Sequence, residues 1–131
     1  MSTTPFLFNA TIVYVHDGDT FDVVVDRGTY DYTGSPAHPI PVRILGLNAR
    51  ELAEPGGQEA QANLAGLLPV GSQVVLRTVK PDKYNPRWLA AVTFSLAGVD
   101  TDLAALLIGK GWAAPWDGNG PKPVPIWPRS A

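Results

Sequence analysis

The chain has 131 residues, 45% of them apolar, and ten Lys plus Arg against twelve Asp plus Glu give a formal charge of −2. That is enough for one packed core, and it excludes a second large domain and an overall positive field for polyanions. The absence of Cys excludes disulfide frameworks, thiolate nucleophiles and Cys-ligated zinc, and 13 Gly with 13 Pro point to a loop-rich fold.

Met1 to Asn9 carries no Lys or Arg and no apolar run of signal-peptide or membrane-span length. The expectation is a soluble protein without a membrane partner, cytoplasmic if the chain is complete. Thr11 to Val15 and Thr20 to Asp26 are rich in β-branched and aromatic residues and predict two strands. Between them lies Asp17-Gly18, a pair favoured in tight hairpins. Arg27 to Pro39 has no period and reads as a long hairpin loop, and Ile40 to Leu47 predicts a third strand.

From Gly57 to Leu68 the apolar positions Ala60, Leu64, Leu67 and Leu68 form the stripe of an amphipathic helix, ended by Pro69 and Gly71. Gln73 to Val79 and Trp88 to Phe94 predict strands four and five around the turn Pro81 to Pro86. A second helix is expected from an N-cap at Asp100, with Leu103, Leu106 and Leu107 inward, to about Gly111. Beyond Trp112 five prolines and two glycines forbid a helix and favour an extended arm.

Three strands, a helix, two strands and a helix is the order of a five-stranded OB-fold β-barrel with two helices packed on it, an α+β fold that commonly binds nucleic acid. The domain reading is residues 1–112 as this barrel and 113–131 as a Pro/Trp-rich arm. Such an arm packs on its own barrel or on a neighbouring chain, which makes a protein partner or a homo-oligomer its expected use.

Four local features sharpen the reading: Asp17-Gly18-Asp19-Thr20 at the hairpin, Arg43 within Val42-Arg43-Ile44-Leu45-Gly46-Leu47, Asn48-Ala49-Arg50-Glu51 after it, and Asp82-Lys83-Tyr84-Asn85-Pro86-Arg87 between the last strands. In that order they resemble the staphylococcal nuclease (thermonuclease-like) family, from about Thr11 to Trp112. The resemblance implies a Ca2+-dependent phosphodiesterase that cleaves DNA or RNA, single strands included, with low sequence specificity. It implies Ca2+ ligation by Asp19, the side chain of Asn48 and the carbonyl of Ala49, with Asp17 holding the metal's waters. Glu51 is then the group that positions or deprotonates water, Arg43 and Arg87 clamp the phosphate, and Lys83 and Tyr84 touch the nucleotide.

The departures from the family pattern lie inside the motif. Asn48 stands where the family has a second metal-binding aspartate, so weak Ca2+ affinity is expected. Arg50 replaces a proline beside Glu51 and places a cation next to it. The turn before Arg87 is one residue longer, and a displacement of about 1 Å can cost on the order of a hundredfold in rate. A working nuclease and a catalytically weak or inactive nuclease-like barrel, used as a structural or docking module in a larger assembly, therefore both remain open. A sequence-tolerant nucleic-acid binder, with Trp88, Trp112, Trp116 and Trp127 as stacking residues, needs a basic groove that the composition does not supply.

Overall fold

The computed structural model describes residues 6–26, 31–49, 55–81 and 88–116. Strand β1 (Phe6–Val15) pairs antiparallel with β2 (Thr20–Asp26) through the register from Asn9↔Asp26 to Val15↔Phe21. The side chains of β2 alternate as their sequence demands: Phe21, Val23 and Val25 are fully buried, while Asp22, Val24 and Asp26 lie partly in solvent. The short β3 (Tyr32–Thr33) extends β2 at Val25↔Thr33, so a strand pair stands inside the segment expected to be loop.

Strand β4 (Ile40–Ile44) pairs with β2. The expected third strand, Ile40 to Leu47, is broken at Gly46, whose φ of 90° only glycine adopts freely. The chain turns there, and β5 (Leu47–Ala49) leaves the sheet. Helix α1 (Gly57–Leu67) follows and buries Ala60 and Leu64, with Leu68 just past its end. Gln61 Nε2 donates to the Val15 carbonyl at 3.0 Å and pins the helix to the end of β1.

Strand β6 (Gln73–Pro81) pairs with β1 and with β7 (Trp88–Leu96), and β7 runs parallel to β4. Pairing around the ring β1-β6-β7-β4-β2 and back to β1 closes a five-stranded, OB-like barrel. Its interior is filled by inward residues of all five strands, among them Ile12, Phe21, Val42, Leu76 and Val92. Truncating such a side chain to Ala typically costs about 2–5 kcal/mol.

The expected N-cap at Asp100 is corrected to Asp102. Asp100 lies opposite Ser95 in β8 (Val99–Asp102), a strand that folds back on β7. Asp102 accepts from the Ala105 amide at 3.2 Å and starts α2 (Leu103–Gly109), which buries Leu103 and Leu107. The chain then continues into β9 (Ala113–Pro115), antiparallel to β5. Among the described residues, no helix is long and apolar enough to cross a membrane.

Candidate functional site

Four polar or charged residues are buried among the described ones, namely Asp19, Thr20, Arg43 and Asn48. The register Thr20↔Arg43 and the bond from the Ile44 amide to the Asp19 carbonyl, 2.9 Å, bring the start of β2 to the end of β4. Burial of polar groups costs several kcal/mol unless they are satisfied, so the partners of these residues define what the cluster is.

Asp19 is engaged on both carboxylate oxygens. Its Oδ1 accepts from Thr20 Oγ1 at 3.0 Å, and its Oδ2 accepts from the Ala49 amide at 3.1 Å and stands 3.6 Å from Arg43 Nη2. The same Nη2 donates to the Leu47 carbonyl at 3.5 Å. Arg43 alternates with the inward Val42 and Ile44 and so leaves the barrel wall on the other face. It is nevertheless only 8% exposed, with the Leu47 carbonyl 3.5 Å from its Nη2 and the centroid of the Trp116 ring 4.9 Å from its Cζ.

The β5–β9 ribbon explains why the Ala49 amide is available. The Trp116 amide donates to the Gly46 carbonyl at 2.9 Å, and with Leu47↔Pro115 next in register the ribbon's bonds fall on alternate residues. Ala49 therefore turns its backbone polar groups away from β9, and its N–H meets Asp19. Leu47 and Ala49 belong to the apolar core, so Asn48, between them, faces the opposite side.

Asp17 completes the cluster. Its Oδ1 accepts from the Asp19 amide at 3.1 Å. Burial pushes its carboxyl up to about 7, and the nearby Asp19 carboxylate adds to the rise. Gly18, between the two acids, does not have the positive φ of a tight Asp-Gly turn. The turn is instead wider, with the His16 and Asp17 amides both reaching the Thr20 carbonyl. A Cβ on Gly18 would lie 2.7 Å from that of Ala49 and 2.9 Å from that of Ala60. Glycine is required here for close approach to β5 and α1.

Of the residues expected to act together, Asp17, Asp19, Arg43 and Ala49 thus meet through short contacts, and Asn48 is buried next to Ala49 in the same strand. Glu51, Arg87, Lys83, Tyr84 and Arg50 lie outside the described residues. Sequence reasoning gave Thr20 no role at the site and considered Trp116 only as a residue that could stack on bases. Thr20 was visible only as the last residue of the Asp-Gly-Asp-Thr motif, and Trp116 carries no local signal for contact with Arg43.

The donor set bears on whether a hard cation fits. It is oxygen only: the Asp19 carboxylate, the Asn48 amide and the Ala49 carbonyl, as Ca2+ prefers. The described residues hold no cluster of three His, Cys, Asp or Glu, and Arg43 neutralises part of the charge of Asp19. The oxygen type of these donors matches a hard cation, and both carboxylate oxygens of Asp19 already accept from protein donors. A comparison with protein-family models finds no match to the chain, and a comparison with curated proteins finds none either.

Proposed function

We propose that this protein is a phosphodiesterase of low sequence specificity acting on DNA or RNA, of the staphylococcal-nuclease type. The observation that carries the reading is the buried Asp19–Arg43 pair, with the Ala49 amide on the same carboxylate oxygen, beside the barrel wall. A buried ion pair is not needed for stability, since apolar residues of similar volume serve as well. A guanidinium held in place by such contacts is suited to a phosphate, which it meets with two parallel N–H donors.

In this reading Asp19, Asn48 and the Ala49 carbonyl would hold Ca2+, which when bound would supply positive charge to the phosphate. Arg43, joined by Arg87, stabilises the negative charge that grows on the phosphate oxygens as the P–O bond to the leaving group breaks. Glu51, two residues after Ala49, orients the attacking water and accepts its proton. Lys83 and Tyr84 contact the nucleotide's phosphate end.

Degradation of single-stranded DNA in calcium-containing buffer, with EDTA as the control, tests this. Turnover is expected, abolished by EDTA and lowered about 10²–10⁴-fold in Glu51→Gln, with circular dichroism showing that the variant is folded. Absence of turnover by the parent protein refutes the reading.

A second reading, a nuclease-like barrel with little turnover that serves as a docking module, is favoured by one observation. Both carboxylate oxygens of Asp19 already have protein donors, which compete with a metal for its lone pairs. Inactive protein that forms an assembly lost on removal of residues 117–131 would support this alternative.

A further inference from the structure

We propose that Trp116 is the positioning residue for Arg43, so that the segment after α2 completes the site described above. The Arg43 Cζ lies over the indole at 4.9 Å from the ring centroid, within cation–π range. A guanidinium carries its five N–H donors around the edge of its plane and none on its face. Stacking on an aromatic ring therefore fixes the plane without consuming a donor.

The edge is held separately. Arg43 Nη2 faces Asp19 Oδ2 at 3.6 Å and the Leu47 carbonyl at 3.5 Å. Asp19 and Leu47 fix where that edge points, and Trp116 stops the group from rocking about it. An aliphatic residue would fill the same space without attracting the cation.

The ring is itself anchored by backbone. The Trp116 amide donates to the Gly46 carbonyl at 2.9 Å, and Pro115 is in register with Leu47. The same β5 that offers Leu47's carbonyl to Arg43 and Ala49's amide to Asp19 thus sets the height of the indole. Arg43, Asp19 and Trp116 are each tied by contact to the β5–β9 ribbon. This inference deepens the phosphodiesterase reading and rests on it for the consequence on rate, but the stacking has its own readout.

The test compares the full chain with Trp116→Phe and Trp116→Leu, and with Trp116→Met should Leu unfold the ribbon. The Arg43 Nε–Hε signal in 15N NMR, assigned by its loss in Arg43→Lys, reads the stacking without any turnover. It is expected to be ring-current shifted and slowly exchanging in the parent, retained in Trp116→Phe and lost from that position in the aliphatic variants.

Cleavage of single-stranded DNA reads the consequence: kcat falling about a hundredfold in the aliphatic variants with KM close to the parent's, and most of kcat retained in Trp116→Phe. An Arg43 signal unchanged in a folded aliphatic variant overturns the proposal, as does equal kcat for the Phe and aliphatic variants of an active parent. Should the parent show no cleavage while the Arg43 signal depends on the ring, the phosphodiesterase reading falls and the positioning of Arg43 by Trp116 stands.

Discussion

Replacing Gly18 by alanine adds one methyl group where the chain between the two acids presses on β5 and α1. The new Cβ would stand 2.7 Å from the Ala49 Cβ and 2.9 Å from the Ala60 Cβ, against an ordinary carbon–carbon separation of about 3.5–4.0 Å. Neither neighbour has a rotamer with which to escape, and both are 2–3% exposed within the packed interior. The φ of Gly18 is not in the left-handed region, so alanine carries no backbone penalty, and the reduced freedom of the unfolded chain favours it by about 0.4–1 kcal/mol. Overpacking costs about 1–3 kcal/mol, which leaves a net destabilisation of roughly 1–2 kcal/mol, or several degrees in Tm for a domain of this size.

Relief of the clash must push the turn away from β5, lengthening the 3.1 Å bond from the Ala49 amide to Asp19. Thermal melts of Gly18→Ala and Gly18→Asn, and of Gly18→Ala combined with Ala60→Gly, check the reasoning. Asn, the larger side chain, should be worse than Ala, and the Gly18 substitution should cost less in the Ala60→Gly background. If Gly18→Asn is tolerated better than Gly18→Ala, or Gly18→Ala matches the parent in Tm, the steric account is refuted and a turn-geometry requirement takes its place.

Asp17 has its carboxyl raised from 3.8 to about 7, so the native state holds a proton that the unfolded chain releases earlier. The associated stability is complete below about pH 4 and is lost as the pH rises through 7. In EDTA, Asp17→Asn should flatten this decline, gaining roughly 1–2 kcal/mol relative to the parent at pH 8 for a half-buried carboxyl. Parallel urea curves for the two proteins at pH 5 and pH 8 would contradict this. Ala97, at φ 52° beside Gly98 at φ 82° in the β7–β8 turn, holds a conformation that costs a non-glycine residue about 1 kcal/mol. Ala97→Gly should therefore raise the denaturation midpoint, against the usual cost of glycine, and a lowered midpoint counts against that geometry. Asn48→Asp adds a carboxylate next to the Ala49 position and should tighten Ca2+ binding by calorimetry while lowering Tm in EDTA through repulsion with Asp19. Unchanged calcium affinity would remove Asn48 from the ligand set.

Much of the barrel was legible because strand alternation and helical spacing are local properties. The order of its five strands and two helices follows from patterns such as Phe21, Val23 and Val25 in β2 or Ala60 and Leu64 in α1. The misreadings share one cause. Ile40 to Leu47 is uniformly apolar apart from Arg43, so composition hides the break that Gly46 makes. Asp100 and Asp102 are equally good caps by residue type, and only the pairing of Val99–Asp102 with β7 decides between them. Asp17-Gly18 has the residues of a tight turn, but the glycine answers to neighbours 31 and 42 positions away, Ala49 and Ala60.

Residue order alone determined that a small closed barrel would form, because hydrophobic period and turn chemistry act over a few residues, whereas the acids and arginines expected at one site were named by a resemblance in motif order. Tertiary structure alone decided that Arg43 is buried against Asp19 and lies under Trp116, and that the amide of Ala49 is turned toward Asp19. Those contacts depend on the β2–β4 register and on β5 pairing with β9 across the sequence, where a slip of a single residue would send each side chain to the other face.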